Sequence, residues 1–134
     1  MTESIEHPKI LLVEDESYVR DVACEILQDA GYQVVVARDG AEGIRLFKTH
    51  SPIQLLITDM IMPGMNGRDL ADKLIAICPT LKTLYMSGYN QDYGDNPAPI
   101  AEVREPFIQK PFTLESLTAK VKEVLQAGRS MEAK

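Results

Sequence analysis

The strongest constraint on the fold is an alternation of two patterns. Short, almost wholly apolar runs, "KILLVED", "YQVVVA", "QLLITDM" and "LKTLYMSG", are separated by segments whose apolar residues recur every three or four positions. Runs of this length with no regularly alternating polar face suit strands covered on both sides, as in a parallel sheet. The segments between them read as amphipathic helices. Residues 16–30 place Val19, Val22, Ala23, Ile26, Leu27 and Ala30 on one face, residues 41–48 use Ile44 and Phe47, and residues 68–77 use Leu70, Leu74 and Ile77. Gly31 suits a helix C-cap, and Pro79 stops the third helix. A short strand, "PFIQ", precedes a last helix with Thr113 as N-cap and Leu114, Leu117, Val121, Val124 and Leu125 as its stripe. Repeated β-α order predicts an α/β domain with right-handed crossovers and helices on both faces of a parallel sheet.

One segment breaks the rhythm. After Ser87 the chain reads "GYNQDYGDNPAPIAEVREP", with glycines and prolines where a fourth helix is due. A loop is expected there, with at most one helical turn over residues 100–104, and it is expected to be mobile until a partner or phosphorylation orders it. The tail "AGRSMEAK" is expected to fray.

Bulk properties narrow the function. A length of 134 residues suits one domain with its own core, set at about residues 9–126 of a single unit spanning 1–134. The net charge of −6, from 20 acidic and 14 basic residues, offers no electrostatic footprint for direct binding of nucleic acid or an anionic membrane. Nothing resembles a secretory signal or a membrane span, so a cytoplasmic protein is expected. Cys24 and Cys78 show no metal-ligand spacing and read as two buried helical thiols.

Parallel strands deliver their C-terminal ends to one edge. Glu14 and Asp15 follow the first strand, Asp59 the third, Ser87 the fourth and Lys110 the fifth. Three gathered carboxylates repel one another unless a hard cation neutralises them, and Mg²⁺ or its analogue Mn²⁺ prefers such oxygen ligands. A carboxylate beside that cation can attack a phosphoryl group and form an acyl phosphate, with Lys110 and Ser87 helping to neutralise the transferred oxygens. Asp59 is the candidate nucleophile.

"ILLVEDE", "LLITDMIMPGMNG", "LYMSGY" and "FIQKPF", in this order and spacing, resemble the receiver domain of two-component response regulators over about residues 9–125. The resemblance implies a flavodoxin-like, doubly wound, five-stranded sheet of order 2-1-3-4-5, with a fourth helix that is short or disordered here. It implies that Asp59 is the phosphoacceptor and that Glu14, Asp15, Asp59 and the backbone carbonyl of Ile61 hold the metal. Lys110 would pair with the phosphoryl oxygens, Ser87 would be the switch hydroxyl and Phe107 the switch aromatic. The Lys110–Pro111 bond is expected to be cis. The implied partner is a sensor histidine kinase or a histidine phosphotransfer domain, and the receiver would be a signalling domain rather than an enzyme. It could stand alone or belong to a hybrid histidine kinase.

Two departures matter. Glu14 stands where the family often has Asp, and its longer side chain still reaches a metal. The irregular segment after Ser87 falls where activated receivers commonly dimerise, so no such dimer is assumed. Ile61 and Tyr89, two positions beyond Asp59 and Ser87, are expected to flank the phosphoryl group and hinder an attacking water. A haloacid-dehalogenase phosphatase is the enzyme alternative, but it needs a proton-carrying residue where Ile61 stands. A binding module that is never phosphorylated is the other, and a retained set of three repelling acids and a lysine argues against it.

Overall fold

The computed structural model describes residues 8–62, 64–87, 106–110 and 112–132, with side chains at all of these except 87 and 127–132. Its elements are β1 (Lys9–Val13), α1 (Ser17–Asp29), β2 (Gln33–Ala37), α2 (Gly40–Thr49), β3 (Leu55–Asp59), α3 (Gly67–Ile77), β4 (Lys82–Ser87), β5 (Phe107–Gln109) and α4 (Leu114–Glu132). The strands form one five-stranded sheet of order β2-β1-β3-β4-β5, every neighbouring pair parallel. This is the doubly wound architecture expected above. The predicted loop with a helical turn at 100–104, and the expected mobility around it, lie outside the described residues.

Successive residues along a strand point to opposite faces, so each buried strand feeds two cores. Ile10, Leu12, Leu55, Ile57, Leu84 and Met86 pack with Ala23 and Leu27 of α1 and with Leu117, Val121 and Val124 of α4. Leu11, Val13, Leu56 and Tyr85 pack on the other face with Phe47 of α2 and with Leu70, Ala71 and Leu74 of α3. A side chain of this kind, fully buried, contributes about 1.5–3 kcal/mol relative to exposure.

Helix starts follow local chemistry. Asp39 accepts from Glu42 N at 2.8 Å, while Glu42 Oε1 returns to Arg38 N at 2.7 Å. Asn66 caps α3 through Asp69 N at 2.8 Å. Thr113 caps α4 by accepting from Ser116 N at 3.0 Å, and the Ser116 hydroxyl accepts from Thr113 N at 2.8 Å, a reciprocal capping pair. Gly31 takes φ 101° just past the end of α1, the left-handed position that favours glycine.

Four expectations need correction. β2 is not covered on both faces: Val34 and Val35 are half-buried and Val36 is exposed, because β2 is an edge strand. Ile77 and Leu114, assigned to helix stripes, are both 52% exposed at helix ends that overrun the sheet. Ala30, likewise assigned to a stripe, is exposed as the C-cap of α1. The two cysteines are free but only half-buried, and Cys78 is the C-cap of α3 rather than a helical residue.

Candidate functional site

The C-terminal edge of the sheet gathers the predicted acids. β1 runs directly into Glu14 and Asp15, and β3 ends on Asp59, with one carboxylate oxygen from each residue lying within 4.8 Å of the others. Asp59 is 6% exposed and Glu14 is 0% exposed, whereas Asp15 faces solvent. Lys110, just past β5, projects between the two buried acids. Its Nζ donates to Asp59 Oδ2 at 3.1 Å and approaches Glu14 Oε1 at 3.1 Å.

The backbone behind Asp59 explains the glycines that follow it. Gly64 adopts φ 86°, turning the chain back, and Gly67 N donates to Met60 O at 2.9 Å. A Cβ on Gly67 would collide with the Asp59 carbonyl oxygen, so only glycine lets α3 start this close to the end of β3.

Glu14 is fastened at nearly every polar atom. Its N–H donates to Ala37 O at 3.1 Å, its Oε2 accepts from Glu16 N at 3.0 Å, and its carbonyl accepts from Arg20 Nη1 at 2.9 Å. The exception is Oε1, which pairs with the Lys110 ammonium at 3.1 Å and has no well-aligned hydrogen-bond donor among the described residues.

Electrostatics set the site apart from ordinary surface carboxylates. Burial, reinforced by the Glu14 charge and only partly offset by Lys110, pushes the Asp59 carboxyl up to about 7. Burial also raises Glu14, against the pull of the Glu16 N–H and of Lys110. Burial opposes the charge on Lys110, but Asp59 and Glu14 outweigh it and hold the ammonium above its usual range. Three carboxylates against one ammonium leave an excess of negative charge that a hard divalent cation relieves, so this all-oxygen donor set fits Mg²⁺.

Other predicted residues are placed less completely. Ile61 follows β3 in the loop, 51% exposed. The Ser87 backbone ends β4 opposite Gln109 at this same edge, while its side chain, Tyr89 and the Lys110–Pro111 bond lie outside the described residues. Phe107 is half-buried on β5 and packs against the core that faces α2 and α3. Sequence reasoning missed Arg20, which reads as a solvated helix charge and whose only signal is its place one turn into α1, behind the acidic pair.

Comparison with known proteins agrees with this geometry. The family model described as the response regulator receiver domain matches residues 10–122. The sensor kinase CckA of Brucella abortus is 35% identical over 118 residues, 87% of this chain but 12% of that kinase. The response regulator receiver protein CpdR of Brucella abortus is 33% identical over 120 residues, 90% of this chain and 98% of that protein. The solved receiver domain of hybrid histidine kinase CckA superposes with a TM-score of 0.71 at 34% identity, covering 88% of this chain and 99% of that one. With the fold, the acid cluster and these relatives in agreement, the chain belongs to the response regulator receiver domain family of two-component signalling.

Proposed function

We propose that this chain is a cytoplasmic phosphoacceptor receiver in which Asp59 takes a phosphoryl group from a sensor histidine kinase or histidine phosphotransfer domain. The observation that carries the reading is the buried Asp59 carboxylate held 3.1 Å from Lys110 Nζ and beside Glu14 and Asp15. A carboxylate oxygen of Asp59 bonds to phosphorus as the P–N bond to the donor imidazole breaks. The electron pair of that bond returns to the imidazole nitrogen. Lys110 is poised to leave Glu14 and follow the new phosphoryl oxygens, whose negative charge it offsets.

Glu14, Asp15, Asp59 and the Ile61 carbonyl are the residues that would hold Mg²⁺ or Mn²⁺, and the cation supplies charge neutralisation at the phosphoryl oxygens when bound. Hydrolysis follows the same path with water attacking phosphorus, which restores the carboxylate and releases phosphate. Both transfers are assisted by the chain's own residues, and the phosphorylated Asp59 itself is the signal, so the chain acts as a signalling domain.

The output we assign to the switch pair. The new dianion draws the Ser87 hydroxyl inward, and Phe107 turns into the space released, altering the surface around β4, β5 and α4. Donor docking we assign to the rim of the site, where Tyr18, Ile61 and Leu114 are 77%, 51% and 52% exposed and all follow strand ends of the same edge. Exposed apolar side chains on the loops and helix starts beside a charged centre suit a protein donor that must exclude water from the transfer.

Incubation with acetyl phosphate, followed by intact-mass measurement, tests the reading. The wild type is expected to gain one phosphoryl group only with Mg²⁺, and Asp59→Asn to gain none. A folded wild type that gains nothing, or an Asp59→Asn variant that gains as much, refutes it.

A further inference from the structure

We propose that Arg20 is a positioning residue for the metal-binding turn, acting through the backbone carbonyl of Glu14. It rests on the reading of Glu14 and Asp15 as metal acids.

The turn between β1 and α1 must present two carboxylates toward Asp59 against their mutual repulsion. Glu14 N is tied to Ala37 O at 3.1 Å, which anchors the residue to the end of β2. Its side chain is tied by Oε2 to Glu16 N at 3.0 Å. These two bonds restrain the peptide plane between Glu14 and Asp15 only through the preceding N–H and a side chain, and the rotation left to that plane would move the Asp15 side chain relative to the cluster. Arg20 Nη1, at 2.9 Å from Glu14 O, removes that freedom. The guanidinium is itself placed by the helix, since Arg20 N donates to Glu16 O at 2.9 Å within the first turn of α1. The link therefore runs from a rigid helix to the one carbonyl whose orientation sets where Asp15 points.

The contact is with a carbonyl and not with a carboxylate. Arg20 therefore acts on the orientation of the turn, whereas Lys110 pairs directly with the acids. Outer partners that orient metal ligands typically affect affinity by about 10–100-fold.

Mg²⁺ titration by calorimetry of the wild type, Arg20→Met and Arg20→Lys, with urea unfolding of each in chelator, tests the assignment. Arg20→Met, which keeps the aliphatic stem and loses the donor, is expected to raise the Mg²⁺ Kd about tenfold. Arg20→Lys, which keeps one donor, is expected to lie between it and the wild type. Should Arg20→Met not fold, Arg20→Gln, too short to reach the carbonyl, carries the same expectation. An unchanged Kd in a folded donor-less variant, with only the urea midpoint lowered, overturns the positioning role. A wild type that binds no Mg²⁺ overturns the metal reading beneath it, so the two failures are distinguishable.

Discussion

Replacing Asp59 by Asn is expected to make the metal-free protein more stable, and only at neutral or alkaline pH. Asp59 titrates near 7 in the fold against 3.8 for the unfolded reference, so its charged form is disfavoured by folding. A raised acid contributes stability that is full below the unfolded value and is lost as pH rises through the folded one. The rise of about three pH units, at about 1.36 kcal/mol each, sets a ceiling of about 4 kcal/mol lost by pH 8. The side chain is 8% exposed, so solvent screening discounts this little. The pull of Lys110 is already contained in that figure, and halving the ceiling for relaxation and water penetration around the buried group leaves a net gain of about 2 kcal/mol. Urea unfolding in chelator, followed by circular dichroism, should show the Asn midpoint displaced upward by about 1 M at pH 8. At pH 5 the advantage should disappear, because most of the wild-type penalty is incurred between those two pH values. Added Mg²⁺ should narrow the pH 8 gap by stabilising the wild type selectively. A variant less stable than wild type at pH 8, or a difference that does not change with pH, would refute the burial argument.

Gly67→Ala should cost about 2 kcal/mol or more, since the new Cβ meets the Asp59 carbonyl, a backbone atom that cannot rotate away. It should also slow phosphorylation by acetyl phosphate, and intact-mass time courses beside urea unfolding will check both effects. Tyr18→Ala should slow transfer from a protein donor at least tenfold while leaving acetyl phosphate labelling unchanged, because its ring is 77% exposed at the rim and touches no reacting group. Equal rates with the protein donor would remove Tyr18 from the docking surface.

The central strands were legible because burial on both faces leaves no alternating polar residue in "KILLV" and "LLIT", and that pattern has few other meanings. The edge strand β2 has an equally apolar sequence, "QVVVA", and nothing in it says that one side lacks a neighbour. Helix stripes were readable in their middles, at Leu27, Phe47, Leu70 and Leu117, and misleading at their ends, where Ile77 and Leu114 pass beyond the sheet. Pattern analysis registers periodicity but not where the opposing layer stops. The acid cluster could be read because topology alone brings strand ends together, whatever the side-chain details. The grip of Lys110 on Glu14 as well as Asp59, the close approach at Gly67 and the Arg20 contact depend on distances of a few ångströms, which spacing along a chain does not encode.

Lys110 has a second consequence through its place in the sheet. β5 is three residues long and is held by ladder pairs to β4 alone, from Tyr85–Phe107 to Ser87–Gln109. The ammonium that follows it is clasped by acids from β1 and β3, the interior of the sheet. This short edge strand is thereby moored to the centre of the sheet by a charge. Any ligand that redistributes negative charge at Asp59 would tighten or slacken that mooring.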